Sequence, residues 1–142
     1  MSAHIARLAD VGTRVLGSPL LAGNGVSLLE GGDEAYASLL AAIAGAGRSV
    51  ALASYIFRDD QVGRSFTDAL IAAHRRGVVV RVLLDSIGSG YFRPRTLGRL
   101  RAAGVPVGRF LHTWVPWRMP FLNMRNHKKI LVVDGSIGFT GG

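Results

Sequence analysis

The chain alternates two kinds of apolar pattern. Ile5, Leu8, Ala9, Val15 and Leu16 recur at helical spacing, and Gly17-Ser18-Pro19 closes that stretch. Arg7 and Arg14 lie on its polar side, so the helix suits either a domain surface or a membrane surface. The stripe is short and its polar face only weakly basic, so docking against the domain is the expectation. Val26 to Leu29 is a short strand candidate. Asp33 suits an N-cap; Tyr36, Leu39, Leu40 and Ile43 then form one helical face, with Gly47 as the stop. Ser49 to Phe57 (SVALASYIF) reads as a buried strand. A helix follows with Val62, Phe66, Leu70 and Ala73 inward and Gly77 at its end. Val78 to Leu84 (VVVRVLL) reads as a second buried strand, Thr96 to Ala103 as a short helix ending at Gly104, and Val105 to Phe110 as a further strand.

This alternation predicts an α/β domain: a mixed, largely parallel sheet flanked by helices. His112 to Asn123 (HTWVPWRMPFLN) breaks the rhythm with two Trp and two Pro. Such a loop is either a flap over the core, or the wall of a substrate cleft or a membrane-contacting lip.

The chain's 142 residues suit one domain, and its 49% apolar content supports a core and argues against disorder. It has no cysteine, which excludes a disulfide framework and thiolate metal sites and suits a reducing compartment. No run approaches the roughly 18 apolar residues of a membrane span, and no signal peptide is expected. The net charge of +8 makes an anionic partner plausible: nucleic acid, anionic lipid or a phosphorylated substrate.

Candidate chemistry sits in RNHKKILVVDGSIGFTGG. If Asn126 to Val133 is a strand, His127 and Lys129 share a face, roughly 7 Å apart along the backbone. Imidazole can attack phosphorus or shuttle a proton, and an ammonium neutralises phosphoryl oxygens. The same spacing also suits an exposed basic strand end. Asp134-Gly135 predicts a hairpin turn before a strand at Ile137 to Thr140. Asp134 would then lie about 23 Å along the strand from His127, so its expected role is structural, holding the turn through side-chain to backbone hydrogen bonds. The GNG and GAG glycine pairs do not open helices after strands, as a dinucleotide loop must. His4, His74 and His112 lack partners at ligand spacing, so no metal site is expected.

His127-x-Lys129-x4-Asp134 resembles the HKD motif of the phospholipase D superfamily. The stretches GNGVSLLEGGDEAYASLLAAI, SYIFRDDQVGRSFTDALIAAHRRGVVVRVLLDSIGS and NHKKILVVDGSIGFTGG are similar to the N-terminal catalytic half of bacterial cardiolipin synthases. The resemblance implies an N-terminal helix and linker over 1–22. Residues 23–142 would form a phospholipase D-like domain, the first HKD half, incomplete at its C-terminus. It implies one active site built from two HKD motifs, in one chain or across a homodimer, with one histidine forming a phosphohistidine and the other protonating the leaving alcohol. His127, Lys129 and Asp134 carry over as catalytic residues. Lys129, Gly141 and Gly142 carry over as phosphate-binding residues, and Trp114 and Trp117 mark a lipid-contacting loop. No cofactor or metal is implied.

The implied substrate is phosphatidylglycerol or another anionic phospholipid. The implied location is the bacterial cytoplasm, peripheral at the inner face of the cell membrane; nucleic acid is the less favoured partner. The sequence departs from the family in three ways. It holds one HKD motif, it stops before the asparagine and the acidic residue that usually follow, and it lacks preceding transmembrane helices. Three readings follow: the first half of a two-motif synthase cut short, a single-motif nuclease or phosphodiesterase working as a homodimer, and a non-catalytic module binding anionic lipid or nucleic acid.

Overall fold

In a computed structural model, which describes residues 3–19, 21–86, 88–89, 95–110 and 127–141, the helices begin and end where capping chemistry allows. Helix α1 spans Ala3–Leu16. It does not dock against the domain as expected: Ile5, Leu8, Val11, Val15 and Leu16 are 53% to 78% exposed. The described residues that follow it, up to Glu30, join no sheet. Val26 to Leu29 likewise forms no strand. Val26 and Leu28 stand almost fully in solvent, because no described strand lies beside them to complete a ladder.

Helix α2 spans Gly31–Gly45 and starts earlier than expected, with Glu30 rather than Asp33 at the N-cap. The Glu30 amide donates to Glu34 Oε2 at 2.8 Å, so a side chain one turn on satisfies an amide at the helix start. Asp33 sits in the first turn, where its charge suits the helix dipole. The helix ends at Gly45, and Gly47 serves another purpose described below.

Strand β1 spans Ser49–Ser54 and helix α3 spans Gln61–Arg75. Asp60 caps α3 by accepting from the Gly63 amide at 2.8 Å. Phe66, Leu70 and Ala73 are buried as their spacing predicts; Val62, in the first turn, is instead partly exposed. Gly77 ends α3 at φ 90°, with Val78 donating to the Ala73 carbonyl and Gly77 to that of His74. This double bond pair needs a left-handed residue, which glycine adopts without strain. Strand β2 spans Val79–Asp85, helix α4 spans Arg95–Ala102, and Gly104 repeats the same stop. Strands β3 (Val107–Phe110), β4 (Ile130–Val133) and β5 (Ile137–Thr140) complete the described elements.

The sheet order is β3-β2-β1-β4-β5. The β1–β2 and β2–β3 ladders are parallel, and β1–β4 and β4–β5 antiparallel, so the sheet is mixed as expected. Helices α2, α3 and α4 cover one face. Their Ile43, Phe66, Leu70, Leu97 and Leu100 join Val50, Leu52, Val80, Val82, Leu84, Leu131 and Val133 in a single core. Val79, Leu83 and Val132 line the other face, which no described helix covers. Apolar runs without alternation had suggested strands buried on both faces. Burial in β2 alternates instead, because its outward positions have no layer above them among the described residues.

Candidate active site

The carboxyl ends of the parallel strands β1 and β2 form one rim of the sheet, the edge where α/β folds place ligands. Antiparallel β4 begins at this rim. Its register pairs Ala53 with Ile130, so the residues just before Ile130 arrive beside the end of β1. His127 and Lys129 are those residues. The His127 imidazole stacks on the Tyr55 ring, with centroids 4.1 Å apart and planes 23° from parallel. His127 is exposed and Lys129 half-buried, and no hydrogen bond or ion pair engages the Lys129 ammonium among the described residues. An exposed imidazole with an ammonium nearby is an arrangement that could receive a phosphodiester.

Gly141 joins the same rim. The β4–β5 register pairs Ile130 with Thr140, and one further step sets Gly141 opposite Lys129. It is exposed, with open space where a side chain would stand, so its backbone is open to a phosphate. Gly142, Trp114, Trp117 and the whole loop from His112 to Asn123 lie outside the described residues.

Asp134 is at the opposite rim. It follows β4 and occupies the left-handed region at φ 55°, as does Gly135 at φ 71°. With Ser136 donating to the Val133 carbonyl at 3.1 Å, this is the hairpin turn that Asp-Gly predicts. The carboxylate does not fold back on its own turn. It accepts from Gly47 at 2.9 Å, Arg48 at 2.8 Å and Ser49 at 2.7 Å. These amide bonds, Gly47 first, then Ser49 and Arg48, hold its carboxyl below the usual carboxylate range, and the Arg48 guanidinium adds to the effect. From Ser49 to Tyr55 the strand covers about 20 Å, so the structure separates Asp134 from His127.

Two residues at the rim escaped the sequence reading. Tyr55 falls inside the apolar run Ser49 to Phe57, but it follows the end of β1 at Ser54 and meets His127 through the β1–β4 register. Gly88 follows β2, and a Cβ there would fall 1.9 Å from the Tyr55 carbonyl oxygen. The turn around it is anchored by Asp85 and Ser89, both almost fully buried. The Ser89 amide donates to the Asp85 carbonyl at 3.2 Å, and the Ser89 hydroxyl donates to the same oxygen. A glycine soon after a strand signals close backbone approach, but does not say to what.

The mixed sheet has counterparts among solved structures. The chain resembles Nuc from Salmonella typhimurium, a phospholipase D family member, with a TM-score of 0.52 and 25% identity over 71% of this chain and 58% of that one. It also resembles NucT from Helicobacter pylori, with a TM-score of 0.57 and 22% identity over 77% of this chain and 65% of that one.

Residues 39–142 match the family model described as cardiolipin synthase, PLD-like domain, and the chain belongs to that family. It is 36% identical to cardiolipin synthase 1 of Bacillus anthracis over its whole length, and 42% identical to cardiolipin synthase A of Pseudomonas fluorescens over 87% of it. The chain spans 28% and 26% of the lengths of those relatives.

Proposed function

We propose that this domain transfers a phosphatidyl group through a phosphohistidine at His127, in the synthesis of cardiolipin from two phosphatidylglycerol molecules. The observation that carries the reading is the placement of His127 and Lys129 together at the carboxyl rim, in a chain of the cardiolipin synthase family. An imidazole nitrogen attacks phosphorus, and the bond from phosphorus to the glycerol oxygen breaks. Lys129 balances charge on the phosphoryl oxygens. A histidine from a second motif protonates the leaving glycerol. It then takes the proton from the hydroxyl of a second phosphatidylglycerol, which attacks the phosphohistidine and frees His127. The second motif comes from the same polypeptide or from a second copy.

The substrate sits in a bilayer, so the domain works at an anionic membrane surface on the cytoplasmic side. Its net charge of +8 and the exposed apolar side of α1 support that placement. No described helix is long and apolar enough to cross a membrane.

The test exploits leaving-group chemistry. An aryl phosphodiester such as bis(p-nitrophenyl) phosphate releases a phenolate that needs no protonation, so a single motif suffices for the first step. The chain should acquire an acid-labile, base-stable phosphoryl group on His127, located by mass spectrometry, and lose it in His127→Ala. Absence of label on His127 would refute the phosphohistidine.

A further inference from the structure

The Tyr55–His127 stack restricts the imidazole in a way that bears on its chemistry. A nitrogen–phosphorus bond forms in the plane of the imidazole, through the ring edge. A flat stack covers one face of the ring and leaves that edge clear. Among the described residues, the Tyr55 ring is the partner that meets the imidazole, and the stack constrains its plane. Tyr55 is itself half-buried and held from behind. A Cβ on Gly88 would lie 1.9 Å from its carbonyl oxygen and 3.3 Å from its Cδ2, so only glycine admits this contact. The Gly88 amide reaches Asp85 Oδ1 at 3.4 Å, and Asp85 and Ser89 on either side of it are buried.

We infer that Tyr55 is a positioning residue for His127: its ring, backed by the Gly88 turn, fixes the imidazole plane so that the attacking nitrogen faces a phosphoryl group held beside Lys129. The inference rests on the phosphohistidine reading above. It assigns the ring face, not the phenol hydroxyl, as the working part of Tyr55. Phenylalanine at this position should therefore serve and an aliphatic residue should not.

The 142-residue chain tests this by NMR, with orthovanadate as the phosphoryl probe. In the unaltered chain the His127 ring protons should be shifted upfield by the Tyr55 ring current, and vanadate should perturb His127 and Lys129. Tyr55→Leu should abolish the upfield shift and weaken vanadate binding about three- to tenfold, the worth of one aromatic stack, with Tm unchanged. Tyr55→Phe should restore both. Gly88→Ala should displace the ring and reduce the upfield shift. Equal vanadate affinity in Tyr55→Leu and the unaltered chain would overturn the positioning role while leaving the phosphoryl site standing. Weakened binding in Tyr55→Phe would overturn the assignment to the ring face. Failure of vanadate to perturb His127 in the unaltered chain would overturn the phosphoryl reading, and the positioning role with it. Absence of the upfield shift there would overturn the stack and the positioning role, while leaving the phosphoryl reading standing.

Discussion

Asp134 and Ser49 are joined by a reciprocal pair of hydrogen bonds. The Ser49 amide donates to Asp134 Oδ1 at 2.7 Å, and the Asp134 amide donates to the Ser49 carbonyl at 2.8 Å. The residues are 85 apart in sequence. This pair, with the neighbouring amides of Gly47 and Arg48, fastens the β4–β5 turn to the start of β1.

Removing the carboxylate should therefore loosen the sheet rather than disable His127. Asp134→Ala leaves amides without their partner and puts an alanine at φ 55°, so Tm should fall by on the order of 5 °C. Asp134→Asn keeps an acceptor and tolerates that backbone, so its loss should be smaller. Both should retain phosphoryl labelling at His127 in folded protein. Thermal melts and mass-spectrometric labelling check this, and loss of labelling in a folded Asn variant would give Asp134 a part in the chemistry.

The lowered carboxyl pKa of Asp134 also sets a direction for pH. A depressed folded-state value means that its stabilisation is complete above the ordinary value of 3.8 and is lost as pH falls through the lower folded value. The Tm gap between the unaltered chain and Asp134→Asn should be constant from about pH 5 to 8 and shrink below about pH 4. A gap that widened in acid would contradict the assignment.

Two helical glycines should respond oppositely to alanine. A Cβ on Gly63 would fall 1.8 Å from the Arg58 carbonyl oxygen, so Gly63→Ala should cost about 1–3 kcal/mol by overpacking. Gly98, inside α4, has open space around it, so Gly98→Ala should add about 0.5–1 kcal/mol through helix propensity. Urea titrations of the two variants give both signs.

Helix α1 leaves its apolar side chains in solvent, so the folded core should not need it. A chain starting at Leu21 should melt within about 2 °C of the whole, yet bind anionic vesicles more weakly. A much larger drop in Tm would show that α1 supports the sheet.

Trp114 and Trp117 are expected to contact lipid, since Trp favours the bilayer interface. Replacing both by Ser should weaken cosedimentation with phosphatidylglycerol vesicles, and unchanged binding would remove them from that role.

What the sequence revealed depended on whether the cause was local. The glycine stops of α3 and α4, the Asp-Gly turn and the bounds of β5 all follow from nearby residues, and all could be read directly. Val26 to Leu29 could not, because an apolar tetrapeptide becomes a strand only with a neighbour. The HKD residues were legible through resemblance, and their strand spacing already separated Asp134 from His127. Three relationships lay beyond any single-chain pattern: the amides that Asp134 reaches, the ring that His127 meets, and the backbone that Gly88 approaches. Each depends on the β1–β4 register or on the turn after β2, which bring together residues distant in sequence.

That register also has a temporal side. As the polypeptide emerges from the ribosome, β1, β2 and β3 can assemble early, yet one edge of β1 must wait unpaired until β4 is made. The His127 site and the Asp134 clamp then form in the same event, the docking of one late hairpin. Such long-range closure is slow compared with local folding, and the waiting edge is the natural place for mispairing or for a chaperone to hold. Docking of that hairpin should therefore coincide with protection of the β1 amides from hydrogen exchange.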